Sequence, residues 1–402
     1  MQFKDIPGQN QIAGYLKEMA NHNRLGHTLL FLSNEGSGAL SLALAFAQYL
    51  VCEKRNFHQT PVSSSLFGED ILPAINPGEL PADSCGECPS CIRAQQFIHP
   101  DIHFSYPVIT KKSATKTISA LYAKEWREFL NTTPYGNVFD WLQKIEVENQ
   151  QGKITADECM DIIRKFSLKS FENGLKILIL WMPEYLSKEG NILLKLIEEP
   201  PPDTLFILVS ESVDLILPTI VSRCQLIKIP AIENEALIDT IVEKQEVSRE
   251  MASQAVAISA GNYREAIQIL RDTEEDWQTV LSNWLNFAIK ARLSDQVKWI
   301  EEMNKLGREK QKQFLRYFLH LAEISMRIHI VGPQNITATQ KEIDFSKRLI
   351  KVASMEQMEA IASELNNAIY FIERNANAKL LFHALTIKLY HIIHQKTLIL
   401  TS

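Results

Sequence analysis

The chain lacks any apolar run approaching the roughly 20 residues that a bilayer-spanning helix needs. Its first residues, Met1-Gln2-Phe3-Lys4-Asp5, lack the basic-then-apolar profile of a secretory signal. Both absences argue against a membrane partner and predict a cytoplasmic protein. A positive excess is missing as well: 42 Lys and Arg against 48 Asp and Glu leave a net charge of −6. The molecule as a whole is therefore no electrostatic glove for nucleic acid, and any DNA contact is expected to be local or shared with partners. Cysteine is scarce, with six residues, and unevenly spread. Cys85, Cys88 and Cys91 crowd into one stretch, Cys52 lies upstream, and Cys159 and Cys224 stand alone. In a reducing compartment that clustering points to a metal rather than to disulfides. No internal repeat is visible.

What is present is length: 402 residues, 46% of them hydrophobic, exceed the size at which one core stops growing, so two or three compact units are expected. Thr28 to Ser33 reads as a strand, followed by a glycine-containing turn and a helix from Ala39 to Val51. Further strands are expected at Ile102 to Val108, Lys176 to Trp181, Thr204 to Ser210 and Gln225 to Ile229. Helical patterns cover Ala156 to Lys169 and Ser187 to Glu198, the latter stopped by Pro200-Pro201-Pro202. Strands alternating with helices predict a mostly parallel sheet covered on both faces. After Pro230 the pattern turns helical. Asn234 to Gln245, Ser248 to Ser259 and Asn262 to Asp272 suggest a three-helix unit. Trp277 to Ala291, Lys312 to Ile330 and Met355 to His394 suggest a helical bundle.

A phosphate-binding loop needs glycines that open the backbone amides, a lysine for the β- and γ-phosphates, and a hydroxyl for magnesium. Ser33-Asn34-Glu35-Gly36-Ser37-Gly38-Ala39-Leu40 stands in the right context, after a strand and opening a helix. Ala39 takes the lysine's place and Leu40 the hydroxyl's. From this segment alone an ordinary glycine-rich turn is an equal alternative. A second catalytic strand, Lys176 to Trp181, should end in acids that hold magnesium. Trp181 and Met182 follow instead, and Glu184 is the first acid available. Two separate defects predict that this chain does not hydrolyse ATP.

Several segments in family order carry a resemblance: Phe3-Lys4-Asp5-Ile6-Pro7-Gly8-Gln9, Asn23-Arg24-Leu25-Gly26-His27, His99-Pro100-Asp101, Leu193 through Pro201, and Leu217 through Gln225. Over roughly Met1 to Leu270 the chain resembles the bacterial clamp-loader AAA+ subunits of DNA polymerase III, and its degenerate loop is similar to that of their non-hydrolysing delta-prime branch. The resemblance implies an α/β AAA+ (RecA-like) domain at 1–230, a three-helix lid at 231–272 and an all-α collar for oligomerisation at 273–402. It implies partnership with gamma/tau motor subunits and the delta subunit, and contact with the sliding clamp and primed DNA through the complex. It also implies that Arg223, in Ser222-Arg223-Cys224, is donated to ATP held by a neighbouring motor subunit, where a guanidinium stabilises charge on the transferred phosphoryl group. An arbitrary arginine would instead pair with a surface carboxylate. Ser210 and Arg264 stand at the family's two sensor positions; without a competent loop at Gly36, Ser37, Gly38 and Ala39 they are expected to be relics or interface contacts, and ATP binding is not expected.

Cys85-x-x-Cys88-x-x-Cys91 offers three thiolates to a tetrahedral ion. By the same resemblance Cys52 is the fourth ligand of a structural zinc module at about 52–91, with His99 in reserve. An iron–sulfur cluster would need a nearby fourth cysteine followed by proline, which is missing, so zinc is favoured. Cys159 and Cys224 read as buried small hydrophobes. The insertions at 53–84 and about 110–152 have no assigned role; Lys111, Lys112, Lys116 and Lys124 suggest a basic surface or, preferentially, a solvated excursion. Two competing classes are weighed against this reading. A motor ATPase would require a lysine at Ala39, and a free-standing zinc-dependent nucleic-acid binder would show salt-sensitive DNA affinity without partners.

Overall fold

The computed structural model describes residues 1–22, 24–57, 81–109, 116–145, 152–172, 174–271, 276–290, 293–332, 334, 338–373 and 376–395. Asn23, Lys111, Lys112 and most of the 53–84 insertion lie outside them. Five strands, β1 (Thr28–Ser33), β2 (Ile102–Ser105), β3 (Lys176–Trp181), β4 (Thr204–Ser210) and β5 (Gln225–Ile229), form one sheet in the order β2-β3-β4-β1-β5, with every pairing parallel. The helices of this half are α1 (Asn10–Asn21), α2 (Ala39–Val51), α3 (Glu53–Phe57), α4 (Pro89–Gln95), α5 (Ala123–Thr132), α6 (Val138–Lys144), α7 (Ala156–Phe166), α8 (Leu194–Glu198) and α9 (Pro218–Val221). Then come α10 (Asn234–Gln245), α11 (Arg249–Ser259), α12 (Tyr263–Arg271), α13 (Trp277–Ile289), α14 (Leu293–Lys305), α15 (Arg308–Val331), α16 (Gln340–Val352), α17 (Met355–Glu373) and α18 (Ala378–Gln395).

The central strands are continuous apolar runs because both their faces are covered. Ile177, Ile179 and Trp181 point into one core with α2 and α5, while Leu178 and Leu180 point into a second with α7 and α9. The expected parallel sheet with helices on both faces, followed by an all-helical region, is what the chain forms. β2 is shorter than expected: it ends at Ser105, because Pro107 has no amide to donate, and Val108 instead makes an isolated antiparallel bridge to Lys153. The helix expected from Ser187 to Glu198 is a 3-10 segment, Pro183–Leu193, broken at Ser187 with φ +47°, and continuing into the short α8.

The chain divides into two compact units, Met1–Thr240 with Gly261–Arg264, and Ile241–Ala260 with Glu265–Ser402. In the second, Trp284 and Trp299 stack at 4.8 Å among Phe314, Phe318 and Phe382, and the Trp284 indole donates to Thr386. In the first, the described part of the 110–152 insertion is not a solvated excursion. α5 and α6 bury Trp126, Phe129, Leu130, Val138 and Trp141. Trp126 stacks on Tyr106 at 4.0 Å and meets Trp141 and Trp181 at 5.1 and 5.2 Å. Aromatic burial on this scale outweighs the exposed lysines.

Truncating a fully buried aromatic typically costs about 3–5 kcal/mol. Trp126→Ala is therefore expected to lower the unfolding free energy of the first unit by about that amount in urea denaturation, and exposed Leu121→Ala on the same insertion by less than about 1 kcal/mol. Equal, small effects from both would show that the insertion is not part of the core.

Candidate functional site

The strand order changes direction at β1, and the carboxyl end of that strand is where a parallel sheet opens a crevice for ligands. Ser33 ends β1 and the chain turns through Asn34–Gly38 into α2. Gly36 and Gly38 have φ of +72° and +84°, a region that side chains rarely tolerate, and Gly38 is the N-cap of the helix. Two glycines in this conformation thus carry the chain from β1 into α2. Gln9, from the N-terminal motif, braces it by donating to the carbonyls of Ser37 and Pro230 at 3.1 and 2.8 Å.

Neighbouring side chains pack closely on the loop's glycines. A Cβ on Gly36 would lie 1.8 Å from Asn262 Oδ1, and one on Gly38 would lie 2.9 Å from the Tyr135 ring. Tyr135 in turn packs against Tyr263 at 4.4 Å, and burial pushes its phenol well above the usual range. Arg264 lies beside the loop with its side chain only 4% exposed. Its Nη1 donates to Glu35 Oε1 at 3.1 Å, its Nη2 to Asp140 Oδ1 at 2.6 Å, and its Nε to Asp140 Oδ2. Asn137 donates to the same Glu35 oxygen at 3.1 Å. Asn137 and Asp140 also cap α6 reciprocally, Asp140 N donating to Asn137 Oδ1 and Asn137 N to Asp140 Oδ2. One local motif thereby positions both polar groups.

The second catalytic strand end is occupied too. Trp181 is 2% exposed among Trp126 and Phe129, and Met182 is buried in a left-handed conformation, φ +58°. Glu184, the first acid after the strand, turns to Ser210. Its Oε1 accepts from Ser210 Oγ and the Glu211 amide at 2.6 Å, and from the Ser212 amide at 2.9 Å. Ser210 is thus tied to Glu184, and Arg264 to Glu35 and Asp140.

Arg223 follows α9 and stands at the surface, its side chain 37% exposed. Nη1 donates to the Thr219 carbonyl at 2.7 Å and Nη2 meets Glu198 Oε1 at 2.5 Å. Glu198 is itself 42% exposed, so the pair sits in water, where such contacts are worth less than about 1 kcal/mol. The surface carboxylate weighed from sequence is present, in Glu198.

Cys52 ends α2 as its C-cap; Cys88 caps α4, and Cys91 lies in its first turn. The four Sγ atoms of Cys52, Cys85, Cys88 and Cys91 all lie within 4.8 Å of one another, with Cys85 to Cys91 at 3.8 Å. A zinc ion with bonds of about 2.3 Å has sulfurs about 3.8 Å apart, so the set fits a tetrahedral ion with no position left open. Backbone amides of Cys85, Cys88 and Cys91 donate to Sγ of Cys52, Cys85 and Cys88 at 3.3–3.4 Å, favouring thiolates. Cys52 is lowered to about 4 by a hydrogen bond with Cys91, which the same bond raises. His99 stands outside this group: its Nδ1 accepts from Asp101 N at 3.2 Å and its Nε2 faces Glu172 at 3.2 Å. Cys159 and Cys224 are away from the cluster, and burial pushes both thiols up to about 12.

Glu35, Asn262, Tyr135, Asn137 and Asp140 were not singled out from sequence as site residues. Asn137-Val138-Phe139-Asp140 is a legible reciprocal cap, but nothing local shows that it reaches the loop.

Residues 8–233, more than half of the chain, match a family model described as "DNA polymerase III, delta subunit". Among curated proteins, the chain is 24% identical over 267 residues to the DNA polymerase III subunit delta′ of Bacillus subtilis and 25% identical over 268 residues to that of Haemophilus influenzae. Each match takes in 66% of this chain and 60% or 61% of the relative, so the likeness stops short of two thirds of those proteins. The tau subunit of Bacillus subtilis is 25% identical over 274 residues, 67% of this chain and 37% of tau. Among solved structures, a clamp loader delta protein of Bacillus subtilis aligns over 94% of this chain and 99% of its own at 10% identity, with a TM-score of 0.29, too slight a likeness to bear on the site. The family match, spanning the glycine loop, both strand ends, the cysteine cluster and Arg223, makes this chain a member of the DNA polymerase III, delta subunit family.

Proposed function

We propose that the chain acts as a non-hydrolysing, delta-prime-type subunit of a DNA polymerase III clamp loader. It would give Arg223 to ATP on an adjacent gamma/tau motor subunit and, with the delta subunit, help to place a sliding clamp on primed DNA. The observation that carries this is a contrast of two sites. Asn262, Tyr135 and the Arg264 cluster pack against the glycine loop after β1, whereas Arg223 stands exposed on a weak pair. Similarity to delta′ proteins supports the assembly. The tau similarity offers a motor-type reading, but Ala39 and Leu40 replace the lysine and hydroxyl that a motor needs.

In this reading 1–230 is the AAA+ domain, 231–272 the lid and 273–402 the collar. Cys52, Cys85, Cys88 and Cys91 hold a structural zinc that ties the end of α2 to α4, and the protein works in the cytoplasm. Among the described residues no helix is long and apolar enough to cross a membrane.

In a loader reconstituted with motor and delta subunits, clamp and primed DNA, Arg223→Ala is expected to lower stimulated ATP turnover by about tenfold or more. Assembly, followed by gel filtration, should be unchanged. A variant as active as the parent would leave Arg223 a structural residue only. Elemental analysis should find about one zinc per chain, and chelation or Cys91→Ser should release it and lower the melting temperature by several degrees, since metal binding is linked to folding. A metal-free chain melting at the same temperature as the loaded one would remove zinc from the account.

A further inference from the structure

We infer that Glu35 and Asp140 are a built-in surrogate for an anionic ligand, neutralising Arg264 at the phosphate loop and fastening Gly261–Arg264 to the first unit with no nucleotide required. A guanidinium stays ionised even when buried, so Arg264 needs an anion beside it. Asp140 meets its Nη2 and Nε as a planar fork, the geometry that two oxygens of a phosphate would otherwise supply, and Glu35 takes Nη1. One of these carboxylates belongs to the loop itself and the other to the insertion, so the lock is closed from two parts of the sequence.

Both carboxylates already stand where an incoming phosphate would meet the guanidinium. A phosphate would have to displace them to reach Arg264. Asn262 over Gly36 and Tyr135 over Gly38 add a steric barrier. The hydrogen bond from Tyr263 N to the Gly36 carbonyl, at 3.3 Å, closes the same segment onto the loop. The insertion thus acquires a role that its lysines do not suggest. This inference rests on the filled loop and not on the donation of Arg223, and its test uses the isolated chain alone.

The full-length Glu35→Gln/Asp140→Asn variant retains the shapes but removes the charge of both carboxylates that meet Arg264. Its melting temperature is expected to fall by about 5 °C or more, and millimolar inorganic pyrophosphate should restore most of that while leaving the parent unmoved. Adding Arg264→Gln to the pair should abolish the pyrophosphate response. If the double variant does not fold, Asp140→Asn alone is measured in the same way, with Asp140→Asn/Arg264→Gln as its control. A carboxylate variant that melts like the parent, equal stabilisation of parent and variant by pyrophosphate, or a response that persists without Arg264 would each overturn the inference.

Discussion

A positive charge buried beside a glycine loop has to be neutralised, and in the first unit that requirement organises everything around the carboxyl end of β1. Arg264 is nearly inaccessible to water and keeps its charge at any relevant pH. In a nucleotide-binding protein the counter-charge arrives with the ligand. Here it is part of the fold, which places Glu35 in the loop and Asp140 at the start of α6. Breaking such an arrangement from one side is costly, because the other side is left buried and unpaired.

Asp140 can reach the loop only because the insertion is packed. Trp126 and Phe129 lie against Trp181 at the end of β3, Trp141 packs on both of them, and Tyr135 leads from the same insertion to Gly38. One inserted segment thus covers both the glycine loop and the end of β3, with charge at the first and apolar contact at the second. At the far end of α2 the four cysteines draw α4 toward Cys52. The helix opening at the phosphate loop is thereby braced at both ends, and Arg223 lies apart from it, in water.

Much of this fold was legible in the sequence, for physical reasons. β1, β3 and β4 are apolar runs buried on both faces, β5 alternates with only Ile227 and Ile229 buried, and α2 and α10 match their expected limits. The misreadings share a cause: local pattern does not report tertiary partners. α14 and α16 were missed because their charged residues mask the apolar stripe, and Met355 to His394, read as one segment, is the two helices α17 and α18. In the insertion, the buried Trp126 and Trp141 decide the packing, and the lysines do not report it. At the site, the glycines, the missing lysine and the cysteine spacing were visible locally. The plug was not, because Glu35, Asp140 and Arg264 are separated by more than a hundred residues at each step.

The central claim is that this chain's phosphate loop is filled by its own side chains. Equilibrium dialysis of the isolated full-length chain against magnesium ATP tests it most directly. The account predicts no saturable binding tighter than about 1 mM. Stoichiometric binding at about 10 µM would contradict it, since the nucleotide could enter only by displacing Asn262, Tyr135 and the carboxylates that hold Arg264.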